Sequence, residues 1–354
     1  MSSEPNNFTW IDKALHRLAF AKPVRHVLND LENSIYRKCF ESEAIASTIY
    51  VCGLPRAGTT TLLNVLAASP DTTSQSYRDM PFIQSPLLWR KISARFRKTA
   101  RKRLRAHRDG VSFDEDSPEA FEEVLWLEHF PEKYHSHHIE LWSEADWSDD
   151  YVVDLQNHCK KLLLINKLDG GNANKVLIKN NANVSRLQFL SEIQPKSLII
   201  VPFRDPSTHA NSLWQQHKHF LKFHAEDKFS LRYMSDLGHF DFGAGFKPID
   251  FPGLRNSGYD DPTNIEYWML LWTSAYTHIL ETLPKNAVLF DYDLACADST
   301  VAVDALRQKT EISIPVGMNT VFRTQERNAP KAPNLALDLW SELKRSDRNL
   351  IKVI

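Results

Sequence analysis

Four short runs of β-branched and aliphatic residues stand out along the chain, at residues 48–54, 176–178, 198–201 and 288–290. Runs of this length without polar alternation predict strands that are buried on both faces. The chain between them carries apolar residues at helical spacing, as in the leucine-rich stretch that begins at about Thr60. Apolar strands that alternate with helices are typical of a mostly parallel sheet, so the pattern predicts an α/β fold.

The pattern also singles out three segments outside the predicted sheet. Residues 1–46 are predicted to be helical and polar, and residues 238–261 are rich in Gly, Pro, Asp and aromatics, which predicts a long loop. Residues 90–108 contain ten Lys or Arg and no acid, with an apolar residue at every fourth position from Ile92 to Leu104. We interpret them as a basic helix that is either a solvated face or a contact for an anionic surface.

Composition excludes several classes of protein. The chain has 354 residues, of which 42% are hydrophobic, and its formal net charge is −1, so neither disorder nor general attraction to nucleic acid is expected. No apolar stretch approaches the ~18 residues that span a bilayer, and residues 1–7 carry no secretory signal. The four cysteines form no C-x-x-C pair. We expect buried free thiols and a cytoplasmic location.

The loop after the first predicted strand has the composition of an anion-binding loop. Residues 53–61 are Gly-Leu-Pro-Arg-Ala-Gly-Thr-Thr-Thr, between a strand end and a helix start. Such a loop directs backbone N–H groups and the positive end of a helix dipole at one point. Gly53 and Gly58 match the nucleotide-triphosphate P-loop, but Thr59 replaces its lysine and the loop's only cation is Arg56. An ordinary ATP or GTP site is therefore not expected.

A second motif follows the strand at 198–201. Asp205 and Pro206 predict the N-cap and first residue of a helix, which puts Arg204 at the carboxyl end of the strand and Ser212 about two turns into the helix. Taken alone, Arg204 could equally form an ion pair with Asp205 that stabilises the fold.

The two motifs together resemble the sulfotransferases that use 3'-phosphoadenosine 5'-phosphosulfate (PAPS), in particular their bacterial, carbohydrate and tyrosylprotein-type members. The first motif resembles the loop that holds the 5'-phosphosulfate. The second resembles the motif for the 3'-phosphate, an Arg followed eight residues later by a Ser. The resemblance implies that PAPS is bound by Pro55, Arg56, Ala57, Gly58, Thr59, Thr60, Arg204 and Ser212.

The resemblance extends over about residues 48–330 and implies a P-loop-like parallel sheet flanked by helices, in a single domain with helical insertions. We expect an N-terminal helical extension at 1–46, this domain at 47–330 with an insertion at about 86–150, and a helical tail at 331–354. The segment from Phe290 to Leu294 resembles the family's strand ending in Tyr-Glu-Asp-Leu.

The resemblance also implies catalytic roles. Lys179 matches a lysine near the transferring group, so Arg56 and Lys179 are expected to stabilise the leaving group. Cytosolic small-molecule members carry a catalytic histidine where this chain has Asn181, which cannot accept a proton at neutral pH. The base must be another residue, and Asp79 is our first choice. The other candidate carboxylates are Glu119, Glu122 and Glu123.

The acceptor cannot be identified from the sequence, although the basic segment and the absent histidine favour a carbohydrate hydroxyl over a small phenol. No metal is expected, because a sulfuryl group carries less charge than a phosphoryl group, and the histidines at 135–138 and 217–219 lack the spacing of metal ligands. An atypical P-loop kinase and a module that binds nucleotide or sulfated glycan without turnover remain the alternatives.

Overall fold

The computed structural model of the chain describes most residues between Phe8 and Ile351. The described ranges are 8–93, 103–104, 112–113, 117–119, 121–255, 257–318, 321–323 and 328–351.

A five-stranded parallel sheet forms the centre of the molecule. Its strands are β1 (Ser47–Val51), β2 (Thr72–Thr73), β5 (Lys175–Lys179), β6 (Leu198–Phe203) and β7 (Ala287–Asp291). They lie in the order β2-β5-β1-β6-β7, so β1 is central and the loops after β1, β5 and β6 meet at one edge. Two further short strands pair antiparallel outside this sheet, namely β3 (Arg103–Leu104) and β4 (Ser112–Phe113).

Helices cover both faces of the sheet. In chain order they are α1 (Trp10–Ala19), α2 (Lys22–Glu41), α3 (Thr59–Ala67), α4 (Pro86–Ser93), α5 (Glu123–His129), α6 (Asp149–Leu168), α7 (Leu187–Ile193), α8 (Pro206–Glu226), α9 (Lys228–Asp236), α10 (Ile265–Thr282), α11 (Tyr292–Ala297), α12 (Ser299–Thr310) and α13 (Asn334–Arg345). None of the described helices is long and apolar enough to cross a membrane.

Alternation along β1 divides the interior into two cores. Tyr50 packs into the larger core, with residues of α6, α8 and α10. Ile49 and Val51 point to the other face and pack with α3 and α12. This two-sided burial explains why the consecutive residues Ile49, Tyr50 and Val51 are all hydrophobic, and the helix-covered parallel sheet confirms the α/β prediction.

The four predicted strands are confirmed, with ends shifted by a few residues, and residues 10–41 are largely helical as expected. The strand β2 was not expected, because it consists of two threonines within the polar linker after α3. The helix α13 buries Ala336, Leu339 and Leu343 in the larger core. The division into an extension, a domain and a tail stays a prediction.

Two expectations are corrected. The predicted basic helix at 90–108 is wrong at 103–104, where the backbone forms the strand β3, and the described part of α4 ends at Ser93. The remainder of that segment lies outside the described residues. All four cysteines are free, but burial holds fully only for Cys52 and Cys159, because Cys39 is exposed and Cys296 is partly exposed.

Candidate functional site

The loop between β1 and α3 has an unusual backbone at two positions. Arg56 has φ +69°, in the left-handed region, and Gly58 has φ +91° where it caps α3. A Cβ on Gly58 would lie 2.1 Å from the ring of Tyr292, so only glycine fits between the loop and that ring. The first N–H groups of a helix have no acceptor within the helix, so the start of α3 is suited to binding an anion.

The two sequence motifs meet at Arg56. The Arg56 Nε donates a hydrogen bond to the Ser212 Oγ at 3.1 Å, and the Arg204 Nη1 donates to the Arg56 carbonyl oxygen at 3.2 Å. Residues that are some 150 positions apart in the chain therefore form one cationic cluster at the carboxyl ends of β1 and β6. The structure brings together these three predicted site residues.

The guanidinium of Arg204 is largely buried and not fully hydrogen-bonded. Its Nη2 donates weakly to the Thr208 Oγ1 at 3.5 Å, and the Asp293 carboxylate lies 3.8 Å from its Nε. Among the described residues the Nε has no hydrogen-bond acceptor. Leaving a buried donor without an acceptor is costly, so this side chain is suited to an anionic ligand.

His209, which the sequence analysis missed, fixes the loop between β1 and α3 through a hydrogen bond to its backbone. Its Nε2 lies 2.9 Å from the Pro55 carbonyl oxygen, and the Trp272 Nε1 donates to its Nδ1 at 3.2 Å. These partners require a neutral ring with the proton on Nε2. Burial lowers the pKa of His209 to about 3, and the charge of Arg204 contributes. The peptide carbonyls of both Pro55 and Arg56 are thus fixed by residues of the second motif.

A cavity of about 1040 Å³, its open mouth included, lies beside Arg56 at the ends of β1 and β5. Lys179, the last residue of β5, lines it and is 8% exposed. The polar residues that line it include Arg56, Thr59, Thr60, Glu119, Lys179, Asn181 and Asp241. The aromatic residues that line it are Phe240, Phe242, Phe246, Phe251 and Trp268.

Asn181 links the loop to Asp241, which also lines the cavity. Its Oδ1 accepts a hydrogen bond from the Thr59 Oγ1 at 3.3 Å, and its Nδ2 donates to the Asp241 Oδ2 at 3.0 Å. Asn181 therefore fixes the position of a carboxylate in the cavity.

Asp79 does not line the cavity. Its carboxylate accepts the Ser76 N–H at 2.8 Å and caps its own 3₁₀ turn, while burial raises the pKa of Asp79 to about 6. Glu119 does line the cavity, is 6% exposed and accepts a hydrogen bond from the Tyr77 hydroxyl. The two segments are adjacent because the Glu119 N–H donates to the Gln75 carbonyl oxygen at 3.1 Å.

The remaining candidate carboxylates, Glu122 and Glu123, form buried hydrogen bonds with residues that follow β5. Glu122 accepts from Asn180 and Asn183 at 3.1 and 3.0 Å, and burial raises the pKa of Glu122. Glu123 forms a buried ion pair with Arg186 and accepts from Asn180 at 2.6 Å. Neither carboxylate lines the cavity, and together they fix the backbone that follows Lys179.

The sequence model of the sulfotransferase family matches residues 48–239, more than half of the chain. The chain belongs to the sulfotransferase family. The match extends from β1 through α9, so it contains the loop, Lys179, Arg204 and Ser212, as well as His209.

Solved sulfotransferase structures resemble the chain at low sequence identity. STF9 from Mycobacterium avium has a TM-score of 0.50 and 12% identity, over 96% of this chain and 85% of that one. STF1 from Mycobacterium tuberculosis has a TM-score of 0.47 and 16% identity, over 88% and 79%. A sulfotransferase from Alicyclobacillus acidocaldarius has 0.39 and 11%, over 84% and 91%.

The similarity to STF9 shows a shared fold and nothing about the substrate. No curated protein sequence is significantly similar to the chain. The residues that the structure describes contain no group of three or more His, Cys, Asp or Glu side chains placed to hold a metal ion.

Proposed function

We propose that this sulfotransferase moves the sulfuryl group of PAPS to an acceptor hydroxyl. The observation that carries the proposal is the contact of Arg56 with both Arg204 and Ser212, at 3.2 and 3.1 Å. A nucleotide with phosphates at both its 3' and 5' positions requires two cationic sites held at a fixed separation. The cluster of Arg56 and Arg204 supports such a pair of sites, and the missing P-loop lysine disfavours ATP.

The residues of the loop fit the 5' end of such a nucleotide. Arg56, the hydroxyls of Thr59 and Thr60, and the backbone N–H groups of Gly58 and the first turn of α3 surround one anion-binding position. Pro55 and Ala57 shape the loop without donating to the anion, because Pro55 has no N–H and the Ala57 N–H donates to the Leu54 carbonyl oxygen at 3.2 Å. Arg204 and Ser212 fit the 3'-phosphate, and a phosphate oxygen would give the buried Arg204 Nε the acceptor it lacks. When bound, PAPS supplies a sulfuryl group on a good leaving group.

Arg56 and Lys179 stabilise the negative charge that develops on the leaving oxygen. Both side chains line the cavity beside the loop. Their charges are fixed by the structure before reaction, because Lys179 ends a buried strand and Arg56 is anchored on Ser212. Such preorganised charges are more effective than mobile ones.

We propose Glu119 as the general base, in place of our earlier choice, Asp79. Of the two carboxylates only Glu119 lines the cavity, where it can reach an acceptor hydroxyl. The Tyr77 hydroxyl orients it by donating a hydrogen bond. The Asp79 carboxylate instead caps its own 3₁₀ turn by accepting a hydrogen bond from the Ser76 N–H.

A carbohydrate hydroxyl remains our proposed acceptor. The aromatic rings that line the cavity offer an apolar surface to the C–H face of a sugar, and its polar side chains can bind the sugar hydroxyls. Since all four cysteines are free thiols, we also propose a cytoplasmic location.

We also propose that the basic segment at 90–108 contacts an anionic surface.

Transfer of ³⁵S from labelled PAPS tests the proposal. Four acceptors cover the main classes: methyl β-D-glucoside, N-acetylglucosamine, 4-nitrophenol and dodecanol. We expect transfer to at least one, fastest to a sugar, and tight binding of adenosine 3',5'-bisphosphate without binding of ATP. Phosphoryl transfer from ATP would instead indicate a kinase, and nucleotide binding without transfer would indicate a binding module.

A further inference from the structure

One helix reaches both sides of the site. Its first turns carry His209 and Ser212, which hold the donor loop. Its later turns lie behind residues 238–251, which we call the acceptor wall because many of them line the cavity. The middle of this wall is a 3₁₀ turn, Gly243–Gly245, that belongs to no sheet.

Two buried histidines on α8 hold that turn. The Gly243 N–H donates to the His217 Nδ1 at 3.2 Å, and the Ala244 N–H donates to the His224 Nδ1 at 3.2 Å. His217 and His224 are seven residues apart, so they lie on one face of the helix. Both rings must be neutral with an unprotonated Nδ1, which agrees with their burial at 2% and 3% exposure.

The turn is shaped to fit these rings. Gly243 has φ +76°, and a Cβ there would lie 2.5 Å from the His224 Nδ1. The His217 ring lies 5.1 Å from that of Phe246 and 5.3 Å from that of Trp268, and both of these side chains line the cavity. A shift of either histidine would therefore move the wall of the cavity.

We propose that His217 and His224 are positioning residues that hold the acceptor wall at a fixed distance from the donor loop and thereby set the affinity for the acceptor. The inference rests on the proposed function. Because the same helix anchors the donor loop through His209, its length fixes the separation of the two substrates. Neither histidine lines the cavity.

Paired substitutions separate positioning from packing. His217→Leu removes the acceptor for the Gly243 N–H, whereas His217→Asn keeps an oxygen near the position of Nδ1. The pair His224→Leu and His224→Asn does the same for Ala244. The matched control is His219→Leu, on the same helix, whose ring packs against Phe220 and Phe223.

Two measurements are made on the full chain. One is the KM for whichever of the four acceptors is sulfated fastest, together with the Kd of adenosine 3',5'-bisphosphate. We expect each Leu variant to raise the acceptor KM by about tenfold, the effect of losing one net hydrogen bond, with the nucleotide Kd changed less than twofold. Each Asn variant should recover most of the loss.

The other measurement is amide hydrogen exchange at Gly243 and Ala244, which needs no acceptor. We expect exchange at the matching amide to rise about tenfold in each Leu variant and to stay near wild type in the Asn variants and in His219→Leu. Equal losses of acceptor and nucleotide affinity, or unchanged exchange, would overturn the inference. If the wild type sulfates none of the four acceptors, the proposed function is in doubt, and the exchange result still decides whether the histidines hold the turn.

Discussion

Arg204 can be tested with two nucleotides that differ by one phosphate. A charge-assisted hydrogen bond contributes roughly 1.5–3 kcal/mol, so Arg204→Ala should weaken adenosine 3',5'-bisphosphate by about one to two powers of ten. Adenosine 5'-phosphate should be nearly unaffected, as measured by calorimetry. Arg204 also donates to the Arg56 carbonyl oxygen at 3.2 Å. Equal losses for both nucleotides would mean that it supports the loop instead of binding the 3'-phosphate.

The general base is tested by a pair of isosteric changes. Glu119→Gln should lower kcat by on the order of 10²–10⁴, because an amide cannot take the acceptor proton. Asp79→Asn should change kcat little, since the amide oxygen can still accept the Ser76 N–H. Nucleotide affinity should be retained in both variants. The opposite pattern, with the large loss in Asp79→Asn, would return the assignment to Asp79.

At this scale the sequence predicts residues whose role is local and fails for those defined by distant contacts. Arg56, Arg204 and Ser212 stand in short motifs at strand ends, so the resemblance of these motifs to a known family was enough to select them. His209 contacts Pro55, which is 154 positions away in the chain, and no local sequence pattern predicts such a contact. Likewise, the choice between Asp79 and Glu119 depends on the pairing of their two segments, which only the tertiary structure gives.

At the scale of elements, the continuous apolar runs predicted the strands correctly, whereas the narrow apolar stripe at 90–108 did not predict the local structure at 103–104. The four apolar runs became parallel strands because each is buried on both faces. The two-residue β2 was missed because its threonines are polar and their pairing depends on β5. The apolar spacing in 90–108 suggested one helix, yet Arg103 and Leu104 pair with a second strand. A narrow apolar stripe is weak support for a helix when neighbouring chain offers a strand partner.

A buried ion pair is one of the contacts that attach the N-terminal helix α2 to the rest of the molecule. The Lys161 Nζ of α6 lies 3.1 Å from the Glu32 Oε1 of α2, with side chains 2% and 0% exposed. Glu32 also accepts the Leu88 N–H of α4 at 2.7 Å. Burial raises the pKa of Glu32 and lowers that of Lys161, so each depends on the other to stay charged.

Lys161→Met should reduce the free energy of unfolding by about 3–5 kcal/mol, because it leaves the Glu32 carboxylate buried without a cation. The double variant Glu32→Gln with Lys161→Met should recover most of that loss, since Gln can still accept from Leu88. Urea denaturation of the full chain measures both. A double variant as unstable as the single one would mean that the loss comes from packing around Lys161 instead of from the unpaired charge.

Across the described part of the molecule, burial favours the neutral form of several histidines. Burial lowers the pKa of His158 and His209 to about 3 and that of His217 to about 4, and it also lowers those of His224 and His278. Three of them, His209, His217 and His224, are spread along α8 and hold the loops on either side of the cavity. Protonation of His209, His217 or His224 should therefore change both the geometry of the site and the stability of the fold.

This dependence gives a signed prediction for stability. A histidine with a folded pKa of about 3 and an ordinary unfolded pKa of 6.5 takes up its proton on unfolding at any pH between the two values. The unfolded state binds more protons there, so stability is lost as the pH falls below about 6.5. For His209 the loss between pH 7 and pH 5 should be about 2 kcal/mol. Buried Asp79 and Asp291, with the pKa of each raised to about 6, oppose this trend, so the pH dependence of wild-type stability alone does not isolate His209.

The contribution of His209 is measured as the difference in stability loss between wild type and His209→Gln, which cannot titrate but keeps a donor for the Pro55 carbonyl oxygen. Denaturation at both pH values should show wild type losing about 2 kcal/mol more than the variant. Equal losses would mean that His209 is already protonated in the folded protein, which its hydrogen bond from Trp272 does not allow.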